Sequence, residues 1–285
     1  MNNKKNSMIK DWTEIIIRLL FFITMPAAFS SGFLAVKLMF TAIGSAEPIN
    51  LDSMWVLIFL VGFTILFGRF FCGFICAFGT LGDAVYAASG FVQRKLLKRK
   101  KQLSIPEKPA MILQKLKYII LFLIVVLCAL GVYSNFSGWS PWDVFSRLMI
   151  FRLPGEGYLA GCVLLILILI GMAFQKRFFC QFLCPMGAVF SLLPILPFSR
   201  IHRNQDSCIK GCNACKKNCP VHIKLGENML HDGECISCEK CRMICPKKNL
   251  IKPESKLFRN DTLCLLIKAA LFFVFGTLTG LCRFG

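Results

Sequence analysis

Only three histidines, His202, His222 and His231, occur in the 285 residues, and none lies in an apolar block. A membrane b-type haem held by histidines within the spans is therefore excluded, and the absence of C-x-x-C-H excludes covalent haem. Neither G-x-G-x-x-G nor G-x4-G-K-[ST] appears, so there is no fingerprint for a dinucleotide or a nucleoside triphosphate. Charge is scarce as well: 17% of residues are charged, against about a quarter in a soluble domain. Acidic residues are scarcest, 15 Asp and Glu against 34 Lys and Arg, for a net charge of +19. With 56% hydrophobic residues and a mean hydropathy of +0.62, the chain is too apolar for a soluble globule. Its 28 phenylalanines and long aliphatic runs exclude disorder. Nucleic-acid binding is the usual reading of such a charge, but nothing else supports it; basic inner loops and anionic lipid account for it better.

What is present is a set of apolar blocks at Met54–Phe71, Tyr118–Tyr133, Tyr158–Phe174 and Leu263–Leu281, each near the length that crosses a hydrocarbon core about 30 Å thick. A longer first block, Ile15–Ile43, carries Arg18, Pro26 and Lys37 and predicts a kinked or broken span. It exceeds a signal-peptide core in length and reads as an uncleaved span. Lys and Arg alternate between connections. Gly44–Ser53 has none, Ala77–Lys117 has nine, Ser134–Gly157 has two, and Gln175–Asp261 has fifteen. Five crossings with the N-terminus, the second connection and the Cys-rich region in the cytoplasm satisfy that alternation, leaving Arg283–Gly285 outside. Trp139 and Trp142 read as interfacial belt residues or, alternatively, as lining for a quinone, and Lys268 as a snorkelling lysine.

Eight of the 16 cysteines lie between Cys208 and Cys245. Cys235, Cys238, Cys241 and Cys245, followed by Pro246, match the bacterial C-x2-C-x2-C-x3-C-P run of [4Fe–4S] proteins. Cys208, Cys212, Cys215 and Cys219, followed by Pro220, differ by one extra residue, at Gly211 or beside it. Three thiolates on a tight loop reach different iron corners, and the fourth reaches the other cluster. This rule assigns Cys208, Cys212, Cys215 and Cys245 to cluster 1, and Cys235, Cys238, Cys241 and Cys219 to cluster 2. Structural zinc, the alternative, usually draws separated cysteine pairs, often with histidine. Lys210, Lys216, Lys217, Lys240, Arg242, Lys247 and Lys248 surround these runs; they would favour the reduced clusters, guide an acidic partner, or simply face solvent.

The segment Arg69–Gly79, RFFCGFICAFG, recurs 108 residues later as Arg177–Gly187, RFFCQFLCPMG. Each copy closes an out-to-in span, so the chain reads as two parallel span-pair repeats related by an axis along the membrane normal. Cysteines four apart share a helix face. Two such faces meeting would gather Cys72, Cys76, Cys180 and Cys184 into a redox dithiol pair or a further iron–sulfur or metal centre, with Arg69 and Arg177 offsetting thiolate charge. Ordinary packing cysteines and snorkelling arginines are the plainer alternatives. Cys128, Cys162, Cys264 and Cys282 have no ligand spacing and read as apolar filler.

The combination of two C-x3-C motifs at span ends with a two-cluster ferredoxin pattern, over about Arg69 to Pro246, resembles the NapH-like membrane polyferredoxins. The resemblance implies a bacterial inner-membrane electron-transfer subunit, with quinol as the electron source of several members and metal reduction in some relatives. The chain departs from the pattern at Ala77, where the family has proline, and in the span that follows the ferredoxin region.

The expected fold is mainly α: a polytopic membrane helical bundle of about five spans with a small α+β bacterial-type two-cluster ferredoxin domain. Residues 1–200 form the membrane domain, 201–255 the cytoplasmic ferredoxin-like domain and 256–285 the last span. The expected function is one-electron relay through two [4Fe–4S] clusters to a redox partner protein or subunit, with quinone as a candidate membrane partner. The alternatives are a metal or disulfide reductase or assembly factor that uses the C-x3-C pairs, and a redox sensor.

Overall fold

A computed structural model describes residues 2–45, 51–95, 98, 105–149, 151–204, 208–223, 233–247, 249–253, 261–279 and 281. His231, Lys248, Cys282 and Arg283–Gly285 fall outside these residues. The protein is mainly helical, with one two-stranded sheet among the described residues.

The first apolar block is two helices, α1 (Asn2–Thr24) and α2 (Ala28–Ser45), broken at Met25-Pro26-Ala27. A proline removes an N–H and crowds the preceding turn, which accounts for the break. Next come α3 (Leu51–Phe67), α4 (Ala77–Lys95) and α5 (Glu107–Leu113), then α6 (Leu116–Ala129), α7 (Pro141–Met149) and α8 (Leu159–Phe174). Two short helices, α9 (Phe178–Phe182) and α10 (Pro185–Leu192), lead into the Cys-rich region. That region carries α11 (Ala214–Lys217) and α12 (Lys240–Ile244), and α13 (Asp261–Leu278) closes the chain.

Four helical segments are long and apolar enough to cross a membrane: Ala28–Ser45, Pro109–Ala129, Glu156–Phe174 and Asp261–Leu278. The 17 residues of α3 stand at the lower limit for a span. Apolar side chains such as Phe122 on α6 and Ile166 and Leu167 on α8 are exposed. That is the expected state of a surface whose solvent is lipid, and this is a membrane protein.

The helices pack as α2 on α3 and α6, α4 on α8, α7 on α8, and α10 on α6. Between them lies a phenylalanine-rich core. Phe78 and Phe179 meet with ring centroids 4.5 Å apart, Phe29 sits edge-on to Phe179 at 5.9 Å, and Phe71 edge-on to Phe190 at 6.0 Å.

Three expectations are corrected. The second span ends at Phe67 rather than Phe71, because Gly68 turns the chain at φ +71°. Trp142 is no belt residue: it is buried, edge-on to Phe33 at 5.3 Å, while Trp139 is exposed. Lys268 does not snorkel. It is 2% exposed, with Nζ 5.3 Å from the centre of the Phe67 ring and 5.6 Å from that of Phe70.

The Cys-rich region is tied together by strands β1 (His202–Arg203) and β2 (Leu250–Ile251), antiparallel with His202 opposite Ile251. It sits directly on the first repeat motif. A Cβ added at Gly73 would lie 2.5 Å from the Ile236 carbonyl oxygen, and one at Gly68 would lie 2.6 Å from Ser237 Oγ. Gly131 has a similar positive φ, +68°, but open space around it. Gly131→Ala should therefore cost only the left-handed backbone penalty, about 1–2 kcal/mol. Gly68→Ala should cost more and make the Cys235–Cys238 loop protease-sensitive. Denaturation midpoints of the two variants in detergent check this; equal losses would mean that the Ser237 side chain yields without cost.

Candidate iron–sulfur sites

Cys208, Cys212, Cys215 and Cys245 line one cavity, with Arg203, Asn249 and Leu250 from the strand ends completing its wall. The extra residue in the first run is absorbed at Gly211, whose φ of +77° bulges the loop into open space and leaves the cysteines facing inward. All four cysteines are partly exposed. Arg203 Nε lies 3.4 Å from Cys208 Sγ, and that contact holds the Cys208 thiol below its ordinary range.

The other four cysteines gather deeper. Cys235 and Cys238 are buried, and Cys241 interacts electrostatically with Cys235, Cys238 and Cys219. Ser237 and Glu239 take left-handed backbone angles, φ +52° and +55°. For residues with side chains that is strain of the kind functional loops store, and it aims successive N–H groups inward. Backbone N–H groups of Val221, His222 and Ile223 donate to Cys219 Sγ, and that of Ser237 to Cys235 Sγ. Such N–H···S bonds suit a thiolate that ligates iron. Burial pushes the Cys235 thiol up to about 12, so its thiolate needs a metal to persist.

The two repeat copies share two backbone hydrogen bonds, although Phe71–Ile75 is a π-helix and Phe178–Phe182 an α-helix entered through Arg177 at φ +56°. Gly73 N–H donates to Arg69 O (3.2 Å), and Gln181 N–H to Arg177 O (2.9 Å). Cys76 N–H donates to Phe71 O and Cys184 N–H to Phe179 O, each at 2.9 Å and across five residues. This widened turn, of a kind frequent at functional sites, places the second cysteine of each copy at the start of the next helix, α4 or α10. There Gly187 N–H donates to Cys184 Sγ at 3.1 Å, and Gly79 N–H bonds Cys76 in the same way. Pro185 and Ala77 both occupy the first helical position, which proline favours but does not own. Cys72, Cys76, Cys180 and Cys184 line a single cavity with Phe29, Phe71, Phe179, Met186 and Phe190.

Neither arginine snorkels. Arg69 and Arg177 are 1% and 2% exposed, and each crosses to the other copy. Arg177 Nη1 donates to the Cys72 carbonyl at 2.7 Å, and its guanidinium lies where a Cβ on Gly79 would be. Arg69 Nη2 lies 3.1 Å from the corresponding point at Gly187.

Sequence reasoning passed over the carboxylates that pair these cations. Asp83 takes Arg177 Nε and Nη2 at 3.1 and 2.7 Å and Arg18 Nη1 at 2.9 Å. Glu234, beside Cys235, pairs with Lys117 and, at 3.5 Å, with Arg69. Glu239, beside Cys238, takes Lys10 at 2.9 Å, Arg242 at 3.0 Å and Lys252 at 3.4 Å. Their signal was available: acidic residues are few, and two of them flank one cysteine pair.

Among the described residues no three His, Cys, Asp or Glu side chains converge on one point, as a single metal ion would require. Two of the cysteine groups instead surround cavities, and the thiol-only donor sets with N–H···S bonds fit clusters.

A family model described as a 4Fe-4S binding domain matches residues 50–103 and 159–197. These segments contain the two repeat copies. The chain is 32% identical over 195 residues to protein MJ0750 of Methanocaldococcus jannaschii, covering 68% of this chain and 76% of that one. It is 25% identical to the ferredoxin-type protein NapH of Haemophilus influenzae, over 70% of this chain and 68% of that one. With the methylamine utilization ferredoxin-type protein MauN of Methylobacillus flagellatus the identity is 27%, over 57% of this chain and about half (52%) of the relative. The chain belongs to the NapH-like membrane polyferredoxin family. No solved structure matches it. Membership makes it an iron–sulfur electron-transfer protein, and the cysteine groups above are where the family's chemistry is to be sought.

Burial by itself would push the Asp83 carboxyl up, but Arg177 and Arg18 outweigh it and hold the group below its ordinary value. Asp83 therefore stabilises the fold above about pH 3.9, and that stabilisation is lost as pH falls through its lower folded value. Asp83→Asn leaves the buried Arg177 guanidinium without its carboxylate and Arg18 with only Glu14, at 3.9 Å, and should cost about 3–5 kcal/mol at neutral pH. Denaturation midpoints against pH check this: the wild type should fall steeply below about pH 4, and the variant, already destabilised, much less.

Proposed function

We propose that the chain is a one-electron relay between a redox protein at its exposed face and the membrane. Cluster 1 is held by Cys208, Cys212, Cys215 and Cys245, and cluster 2 by Cys235, Cys238, Cys241 and Cys219. The observation that carries this reading is the crossed grouping. Cys245, from the second run, lines the cavity of the first run's three cysteines, and Cys219 joins the second run's three. Crossed ligation is the arrangement that two-cluster ferredoxins use.

The two sites differ in depth. The cluster 1 cysteines are partly exposed, beside exposed Lys210 and Lys247, and suit exchange with an acidic redox partner. Two of the cluster 2 cysteines, Cys235 and Cys238, are buried, and their loop packs on the first repeat motif. Bound clusters would supply one-electron storage; the protein supplies the N–H donors, the buried cations and the exclusion of water that tune it.

The positive-inside count supports a cytoplasmic position for the Cys-rich region and the N-terminus, in a cytoplasmic membrane. A quinone-type carrier or a partner subunit then completes the path on the membrane side. A dithiol reductase is the weaker reading, because burial raises the thiols of Cys76, Cys180 and Cys184 and so suppresses the reactive thiolate.

The test is paramagnetic resonance of the anaerobically purified, dithionite-reduced protein. Two magnetically interacting [4Fe–4S] signals are expected from the Cys-rich region. Cys208→Ser should alter one signal and Cys235→Ser the other. A single isolated signal, or stoichiometric zinc with little sulfide, would sink the reading.

A further inference from the structure

The cavity at the repeat motifs is a site in its own right. Its four thiols come two from each copy, and the matched backbone turns deliver them in equivalent positions. Its remaining walls are phenylalanines, Met186 and Gly187, with Arg69 behind the thiols, so the lining apart from sulfur is apolar. The Arg69 guanidinium interacts with the Cys72 thiol and donates through Nη1 to the Gly233 carbonyl at 3.0 Å; its Nε, on a side chain 1% exposed, has no hydrogen-bond partner among the described residues. A buried donor left without an acceptor is destabilising until one arrives. The helices α4 and α10 begin at Cys76 and Cys184, so two positive helix ends also face the space. The guanidinium and the two helix ends therefore favour the thiolate form of these cysteines and offset the net negative charge of a cluster that four thiolates ligate.

We infer that Cys72, Cys76, Cys180 and Cys184 hold a third [4Fe–4S] cluster, shared between the two repeat copies, with Arg69 donating to its sulfur. The cubane is favoured over a single ion because the thiols surround a space and do not converge on a point. The match of a 4Fe-4S binding model to these two segments agrees with it.

The site also has an electrical neighbour. Gly73, next to Cys72, is so close to the cluster 2 loop that an added Cβ would lie 2.5 Å from the Ile236 carbonyl oxygen and 3.7 Å from Cys238 N. Gln181, next to Cys180, donates to the Pro220 carbonyl beside Cys219. Arg177 stands between the two sites: it donates to the Cys72 and Gly73 carbonyls and interacts electrostatically with Cys180 and Cys238. The three centres thus lie in series from the exposed face to the membrane edge. An electron passes from one to the next with no bond made or broken; the reduced protein partner supplies it at one end, and the membrane-side acceptor takes it at the other, or the reverse.

This inference rests on the two-cluster reading above, and iron stoichiometry separates the two. The full chain, purified anaerobically in detergent, should contain about twelve irons and twelve acid-labile sulfides, against about eight of each for the ferredoxin clusters alone. Cys72→Ser and Cys184→Ser should each fall to about eight while the two interacting ferredoxin signals persist. Arg69→Lys, which keeps all twelve thiols, should retain about twelve irons and shift the midpoint potential of one centre only. A wild-type count near eight or near ten, or zinc in place of the extra iron, overturns the third cubane and leaves the ferredoxin reading standing. A count near four that Cys184→Ser removes, with no interacting signals, overturns the ferredoxin reading instead.

Discussion

Buried cations with few carboxylates to match them are the constraint on which this protein is built. Arg69, Arg177, Lys117, Lys252 and Lys268 are each at most 2% exposed, in a chain with 15 acidic residues. A buried guanidinium or ammonium without a partner costs several kcal/mol, so each must be answered locally. Asp83 answers Arg177 and Arg18, Glu234 answers Lys117 and Arg69, Glu239 answers Lys10 and Lys252, and the Phe67 and Phe70 rings face Lys268. The pairings cross between α1, α4, α6, the repeat motifs and the Cys-rich region. They therefore fix how that region sits on the membrane helices, a task that apolar contact, which tolerates sliding, performs poorly.

The same pairs leave a positive surplus near the cysteines. Glu234 serves both Arg69 and Lys117, and Glu239 with Asp261 serves Lys10, Arg242 and Lys252, whereas Asp83 with Glu14 balances Arg177 and Arg18. A surplus of buried positive charge is unfavourable in an empty site and favourable once anionic clusters are bound. Stability of the region and cofactor binding are thereby linked, as in metal-folded domains generally.

Much of this was legible in the sequence where the cause is local. The break near Pro26, the apolar helices and the repeat all follow from residues within a few positions of each other. What was not legible depends on partners far away in the chain. The second span stops at Phe67 because Gly68 must pass under Ser237, 169 positions later. Trp142 sits in the core because Phe33 and Phe29 come to meet it. The latching carboxylates could be counted but not paired, since a lysine that obeys the positive-inside bias and one that anchors a glutamate look alike in sequence.

The sequence repeat resolves an apparent conflict between the two C-x3-C copies. Ala77 in place of a proline suggests that the first copy has drifted, yet its turn keeps the same five-residue hydrogen bond and the same N–H to sulfur contact as the second. What the motif preserves is not the proline. It is a glycine two residues further on, where a side chain would collide with Arg177 at Gly79 and press tightly on Arg69 at Gly187. Arg177 over Gly79 and Arg69 near Gly187 make each half complete the other's wall. Neither half then forms its site alone, and a cavity closed reciprocally by two repeats is what a cofactor ligated by both would require.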